Sequence, residues 1–315
     1  MNNNKYENYS MTDKIELVAN LYYISKLSQK EISEKLDISR PWVSKLLTRA
    51  EEMNIVKIEI NSPSVGNPQL ESRLMELYGI EKVCVVNSSF GNTRENTAKA
   101  AAHYFISRIR PHDTIGIGWG ESVSTTVKHI VPLKLPDIKI VPLAGSFGTS
   151  LGFWANYGAH QLAETIHGTA YLLHAPAFCH SAEEYNAIIS NPQSSEILKL
   201  GESAHIHIVG LGSIAHSNLI KHNIIQPDAA QELLEAGCVG DVALHFLDNN
   251  GNIIHTDVTE RIIKVNFLKM KENARDIIGI ATGEHKAGII KAALKGKLIN
   301  ALFTDEETAL LLCES

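Results

Sequence analysis

Residues 27–50 read Leu-Ser-Gln-Lys-Glu-Ile-Ser-Glu-Lys-Leu-Asp-Ile-Ser-Arg-Pro-Trp-Val-Ser-Lys-Leu-Leu-Thr-Arg-Ala, which is the spacing of two short helices joined by a tight turn. Ser28 is placed to cap the first helix, and Ser39 is placed to cap the second. Pro41 falls in the first turn of the second helix, where its missing N–H costs little. The stretch therefore predicts a helix-turn-helix, a unit whose second helix enters a DNA major groove.

The second predicted helix has one apolar side and one cationic side. Its apolar side, at 3.6-residue spacing, consists of Val43, Leu46, Leu47 and Ala50. Between Arg40 and Ala50 there are three cations and no carboxylate, which weakens the alternative of an ordinary helical hairpin with a solvated outer face. Such a face suits contacts with phosphates and base edges. The residues predicted to contact DNA are Ser28, Gln29, Ser39, Arg40, Pro41, Trp42, Ser44, Lys45, Thr48 and Arg49.

The segments on either side complete a small domain. Residues 12–25 have helical periodicity, and residues 55–60 alternate as a strand, which would give a winged variant of the helix-turn-helix. A stretch rich in Pro, Gly, Asn and Ser follows at 61–68. The sequence therefore predicts a winged helix-turn-helix domain at 1–61 and a second domain at 62–315.

Charge divides the 315-residue chain in the same way. Its first 62 residues have nine basic and nine acidic side chains, so the net charge of −6 belongs to the remainder. No apolar run reaches membrane-spanning length and the polar start is unlike a signal peptide, so a cytoplasmic location is expected. The four cysteines lack metal-ligand spacing and are expected to be reduced thiols. No metal and no cofactor are predicted.

The remainder alternates short apolar strands with helical patterns, which favours an α/β fold with a mainly parallel sheet covered on both faces. The strand candidates are 82–87, 113–118, 138–143, 169–174, 204–210, 241–247, 276–281 and 299–304. The helix candidates are 69–78, 92–110, 121–130, 153–167, 227–236, 285–294 and 305–313.

Three glycine-containing loops follow predicted strands, at 116–122, 143–150 and 210–213. Loops of this kind can bring backbone amides close to an anion, although glycines at strand ends often serve only packing. Lys286 begins a helix, where a cation opposes the helix dipole unless an anion offsets it. Asp241 could accept hydrogen bonds from sugar hydroxyls, or it could face water. Three such loops in one sheet favour a ligand that carries a phosphate, whereas Lys286 could equally be a solvated lysine.

The chain resembles the SorC family of sugar-responsive bacterial transcription regulators over nearly its full length. The motifs that carry the resemblance lie at 21–23, 28–32, 38–47, 118–120, 237–241, 246–251, 283–287 and 302–306. The resemblance implies an effector domain similar to the glucosamine-phosphate deaminase and ribose-phosphate isomerase fold. It also implies a phosphorylated sugar or polyol as effector, operator DNA as partner, and a homo-oligomer that is usually a tetramer.

The resemblance also implies where the effector binds. Gly120, Ser122 and Lys286 would hold the phosphate, and Asp241 would contact the sugar. With the neighbouring loop residues, the predicted effector site comprises Gly118, Gly120, Glu121, Ser122, Gly145, Ser146, Gly212, Asp241 and Lys286. Two positions depart from the family pattern: Ala144 stands where several relatives carry a basic residue, and Trp42 stands where many carry Thr.

Two other interpretations share these features. An isomerase or deaminase would use the same sheet and loops, with Asp241 and His174 as the only acid–base candidates near strand ends. The second alternative is an architectural DNA-binding protein whose body serves only oligomerisation. A regulator, not an enzyme, is the favoured interpretation, with activator and repressor both open.

Overall fold

The structure is a computed structural model that describes residues 9–56, 66–87, 92–147, 155–222 and 224–314. The chain divides into two compact units, residues 1–62 and 63–315.

The first unit is helical where it is described. Helix α1 spans Met11–Ala19, begins with a Ser10 capping box and continues as a π-helical turn over Asn20–Ile24. Helix α2 spans Gln29–Leu36 and helix α3 spans Arg40–Glu52. The predicted wing strand lies outside the described residues from position 57 onward.

Local signals set the ends of α2 and α3. The Ser28 hydroxyl accepts a hydrogen bond from the Glu31 N–H, and the Ser39 hydroxyl accepts one from the Trp42 N–H. Asp37 ends α2 in the left-handed conformation, with φ 54°, a geometry that Asp tolerates better than most residues. The predicted apolar stripe is buried, and the core of the unit consists of Ile15, Val18, Ala19, Ile32, Val43, Leu46, Leu47 and Ala50.

The second unit is built on a largely parallel sheet, as the sequence predicts. Its strands are β1 Lys82–Val86, β2 Thr114–Ile117, β3 Lys139–Pro142, β4 Thr169–Ala170, β5 Ile206–Ser213, β6 Gly240–Val242, β7 His245–Leu247, β8 Asp276–Ile280 and β9 Ala301–Asp305. Along the sheet the order is β1-β9-β8-β5-β2-β3-β4, with every pair parallel. Strands β6 and β7 form an antiparallel hairpin that pairs with the end of β5.

Helices cover both faces of the sheet. They are α4 Pro68–Tyr78, α5 Thr93–Arg108, α6 Glu121–Lys128, α7 Ala155–Ile166, α8 Ala182–Ser190, α9 Pro192–Glu202, α10 Asn218–Lys221, α11 Pro227–Glu235, α12 Asp257–Glu260, α13 Phe267–Asn273, α14 Ala287–Lys295 and α15 Glu306–Cys313. Alternate residues of one strand enter two different apolar cores: Ile277 faces one and Ile278 faces the other. A strand that is buried on both sides explains the continuous apolar runs in the sequence.

Several sequence expectations are wrong in detail. The predicted strand 169–174 is a strand only over Thr169–Ala170, and helices α8 and α9 are not among the predicted helices. The predicted strand 241–247 is the β6–β7 hairpin, whose turn residues Ala243 and Leu244 have positive φ. The sequence conceals this turn because Val242, Leu244 and Phe246 alternate as in one strand. Residues 210–213, predicted as a loop, continue β5, and residues 211–213 pair with β6.

None of the helices in the described parts of the chain combines the length and apolar character that a membrane-spanning segment needs.

Candidate functional site

A cavity of about 350 Å³ opens where β2 and β5 end. Six of the nine predicted effector-site residues line it: Gly120, Glu121, Ser122, Gly212, Asp241 and Lys286. The other residues around it are Arg94, Trp119, Gly210, Leu211, Ser213, His216, Ser217, Asn218, Lys221 and His285. We call this the strand-end cavity. The sheet thus brings together residues that lie up to 192 positions apart in the chain.

The turn from β2 into α6 forms one wall of the strand-end cavity. Gly120 has φ +113°, a conformation that residues with a Cβ rarely adopt. Helix α6 begins at Glu121 without a side-chain cap, so its first backbone N–H groups have no capping side chain. The Ser122 side chain is buried beside them. This wall therefore offers hydrogen-bond donors to an anion.

Asp241 lies opposite, on β6, and is 4% exposed. Burial raises the pKa of its carboxyl to about 6, and hydrogen bonds from the Leu244 N–H and Trp119 Nε1 oppose the rise. Both donors bond the same oxygen, Oδ2, at 3.1 and 3.4 Å. A Cβ at Gly212 would stand 2.5 Å from the other oxygen, Oδ1. Glycine at position 212 therefore makes room for this carboxylate.

Lys286 brings a cation to the cavity. It ends a short 3-10 turn over Glu284–Lys286 and is the N-cap residue of α14, one position earlier than the first helical turn expected from the sequence. Burial lowers the pKa of Lys286 and Arg94 lowers it further, while nearby carboxylates oppose the shift. Within the described ranges, Lys286 forms no ion pair at 4.0 Å or less. The half-buried ammonium thus lacks a directly bonded counter-ion.

Four further basic residues around the cavity were not predicted from the sequence. Arg94 forms an ion pair of 2.6 Å with Glu121. The rings of His216 and His285 lie 4.8 Å apart, and Lys221 follows on α10. Burial lowers the pKa of His285, and the neighbouring Lys286 lowers it further. His216 and Lys221 follow β5, which ends at the cavity, whereas Arg94 follows β1 and His285 follows β8.

Three predicted residues do not line the strand-end cavity: Gly118, Gly145 and Ser146. Gly145 instead packs against backbone, because a Cβ there would stand 2.4 Å from the Pro176 carbonyl oxygen. Ser146 exchanges backbone hydrogen bonds with Ala175 and Ala177. The rest of that predicted loop, 148–150, lies outside the described residues.

The other sequence candidates lie elsewhere. His174 is exposed and does not line the cavity, so the two acid–base candidates are not brought together there. Ala144 is buried and forms an isolated β-bridge with Lys264. Among the described residues, no group of three or more His, Cys, Asp or Glu side chains could hold a metal ion.

The outer face of α3 is the second candidate surface. Arg40, Ser44, Lys45, Thr48 and Arg49 are exposed on it, as are Ser28, Ser39 and Pro41 near the helix starts, while Gln29 is half-buried. Trp42 is also half-buried and packs partly against the core, with the Lys45 ammonium 5.4 Å from the centre of its ring. Arg49 pairs with Glu52 at 2.8 Å. The face therefore combines an aromatic edge with three solvated cations.

Comparisons with known proteins cover both units. Residues 62–314 match the family model described as "Putative sugar-binding domain". The sorbitol operon regulator of Klebsiella pneumoniae is 31% identical over 96% of this chain and 98% of its own. The chain belongs to the SorC family.

Two further comparisons support this membership. The crystal structure of the full-length SorC regulator from Klebsiella pneumoniae matches with a TM-score of 0.80 at 28% identity, covering 97% of this chain and all of that one, 100%. The deoxyribonucleoside regulator of Bacillus subtilis is 29% identical over 92% of this chain and 94% of its own. The match extends across both units, so this SorC-family member is a transcription regulator with a sugar-binding domain, as the sequence motifs predict.

Proposed function

We propose that this regulator controls a carbohydrate or polyol operon by binding operator DNA through α3 and a phosphorylated sugar or polyol in the strand-end cavity. The observation that carries the proposal is the half-buried Lys286 ammonium, which has no directly bonded counter-ion within the described ranges. A desolvated cation is costly unless an anion approaches it. A phosphate group would supply that charge and several acceptor oxygens.

The surroundings of Lys286 favour a phosphate over a smaller anion. The uncapped start of α6 and the Ser122 side chain offer hydrogen-bond donors. Lys221 adds positive charge at the rim of the cavity, and the rings of His216 and His285 offer further hydrogen-bonding groups there. Asp241, by contrast, repels anions and accepts hydrogen bonds. A ligand that suits both ends carries phosphate at one end and hydroxyls at the other.

The DNA-binding half of the proposal rests on α3. Its exposed cations lie on the side opposite the buried stripe, and the half-buried Trp42 packs partly against the core beside them. We expect a homo-oligomer, usually a tetramer. A pair of such helices in it would read two half-sites that lie about one helical turn, or a multiple of one turn, apart. We place this activity in the cytoplasm, and we propose that the ligand acts by binding and is not turned over.

A thermal-shift panel tests the effector half. Sorbitol, sorbitol 6-phosphate, other sugar and polyol phosphates, and inorganic phosphate are added to the full-length protein. We expect at least one phosphate ester to stabilise it by about 2.7 kcal/mol at 100 times its dissociation constant, and free sorbitol to have no effect. A panel in which no phosphate ester raises the melting temperature contradicts the proposal and favours a body that serves only oligomerisation.

Selection from a random DNA duplex library tests the other half. We expect enrichment of one pseudo-palindromic sequence, with an affinity that changes when the stabilising ester is added. A library that stays random with and without the panel compounds would exclude sequence-specific recognition.

A further inference from the structure

The hairpin that carries Asp241 turns through two residues in an unfavourable conformation. Ala243 and Leu244, between β6 and β7, have φ values of 50° and 63°. This left-handed region is disfavoured for residues with a Cβ, and two-residue hairpin turns of this kind usually contain Asn-Gly or Asp-Gly. Other contacts must therefore hold the turn in place.

Asp241 and Lys264 each form a hydrogen bond with one of the two backbone polar groups of Leu244. The Leu244 N–H donates to Asp241 Oδ2 at 3.1 Å. The Leu244 carbonyl oxygen accepts a hydrogen bond from Lys264 Nζ, also at 3.1 Å. Lys264 is itself fixed by a second bond, of 3.2 Å, to the carbonyl oxygen of Thr259. One peptide segment thus connects the ammonium to the carboxylate.

Lys264 is not a residue of the strand-end cavity. It lines a separate cavity of about 400 Å³, whose walls include Tyr185, Leu198 and Phe267. A ligand in the strand-end cavity would therefore touch Asp241 and not Lys264. Any influence of Lys264 on that ligand must pass through Leu244 or through the electrostatic field.

We propose that Lys264 is a positioning residue that fixes Asp241 for the recognition of a ligand hydroxyl. With Oδ2 occupied by Leu244 and Trp119, Oδ1 beside Gly212 is the oxygen left for the ligand. Loss of the Lys264 contact would release Leu244 and let the carboxylate rotate. The inference rests on the proposed function, because it takes Asp241 as the contact of a phosphorylated sugar or polyol.

The charge of Lys264 also favours the ionised form of Asp241. Burial raises the pKa of Asp241 to about 6, and the cations Lys286 and Lys264 limit that rise. The pKa of Lys264 is lowered by burial to about 8, so it is cationic at neutral pH, with Glu260 as a further charged neighbour. The nearby Cys238 thiol stays protonated, because burial raises its pKa to about 11. Removing the Lys264 charge therefore makes Asp241 harder to ionise.

The test compares Lys264→Met with Lys264→Arg by titration calorimetry from pH 5.5 to 8, with sorbitol 6-phosphate and inorganic phosphate as probes. For Lys264→Met we expect sorbitol 6-phosphate to bind about tenfold more weakly near pH 6.5, with the rise in affinity moved about one pH unit upward. Inorganic phosphate, which needs no hydroxyl contact, should change by less than about twofold. Lys264→Arg keeps the charge and should restore most of the wild-type pH profile.

The outcomes separate this inference from the proposed function. If wild-type protein binds both probes and the Lys264→Met profile superimposes on it, the positioning role is wrong and the proposed function stands. Equal weakening of both probes would also overturn it, since that indicates general damage. If the wild type binds neither probe nor any ester of the panel, the proposed function fails. Should Lys264→Met not fold, Lys264→Gln replaces it, with the same upward shift expected because the charge is gone.

Discussion

The outer face of α3 and the strand-end cavity are both cationic, yet their charges sit in different surroundings. Arg40, Lys45 and Arg49 are exposed, whereas Lys286 is half-buried and Asp241 is buried. Exposed charges are screened by salt and contribute small, nearly independent increments. Desolvated charges interact strongly, so the loss of one leaves another uncompensated. The same residue types are therefore expected to give graded effects on α3 and nearly all-or-none effects in the cavity.

The largest effect is expected for Lys286→Met. It should remove nearly all of the stabilisation, about 2.7 kcal/mol, that the best phosphate ester gives wild-type protein at 100 times its dissociation constant. The ligand-free variant should melt slightly higher, because a desolvated charge is gone. Thermal shifts measure both. Lys221→Met, at the exposed rim, is the matched control and should lose less of the stabilisation by the ester. Equal losses in the two variants would show that Lys286 contributes no more to binding than Lys221 does.

Asp241→Asn should change how binding depends on pH. The pKa of Asp241 in the folded protein is raised to about 6. Between about pH 4 and pH 6 the folded state therefore holds a proton that the unfolded state has lost, so the ligand-free protein loses stability as pH rises through this range. Sorbitol 6-phosphate should bind more tightly over that rise as the carboxylate forms. The variant should lose about 1–3 kcal/mol of affinity at pH 7. Because a phosphate ester itself titrates near pH 6, the difference between the two proteins is the informative quantity.

Gly212→Ala tests the space beside Asp241. A Cβ at that position would stand 2.5 Å from Asp241 Oδ1, so the carboxylate must move. We expect sorbitol 6-phosphate to bind more weakly by about 1–2 kcal/mol, with inorganic phosphate little changed. Gly288→Ala, where a Cβ would meet nothing within 4 Å, is the control. Unchanged affinity for the ester would show that Oδ1 takes no part in binding.

The smallest effect is expected on α3. Arg49→Ala should weaken binding to selected and random DNA alike, and should reduce the slope of log affinity against log salt by about one. Lys45→Ala offers a comparison, because Arg49 is bonded to Glu52 whereas Lys45 lies over Trp42. Fluorescence anisotropy at several salt concentrations measures both. A salt slope that does not change in either variant would show that Lys45 and Arg49 of α3 do not contact DNA phosphates.

The sequence predicts best what depends on neighbours in the chain. The caps Ser28 and Ser39, the buried stripe of α3 and the parallel sheet all follow from short-range patterns. The composition of the cavity was harder to predict. Arg94 and His216 reach it from segments whose meeting depends on strand order, which periodicity does not encode. The β6–β7 turn was missed because its residues, Ala243 and Leu244, carry no turn signal of their own.

Lys286 and Asp241 also bear on how long the protein persists. Before any ligand arrives, Asp241 is buried and Lys286 is half-buried, which costs free energy that a bound phosphate ester would return. A ligand at 100 times its dissociation constant lowers the unfolded fraction about a hundredfold. Cellular proteases degrade unfolded chains preferentially. The abundance of the regulator would then rise with the concentration of its metabolite, so that the metabolite would control the amount of regulator as well as its binding to DNA.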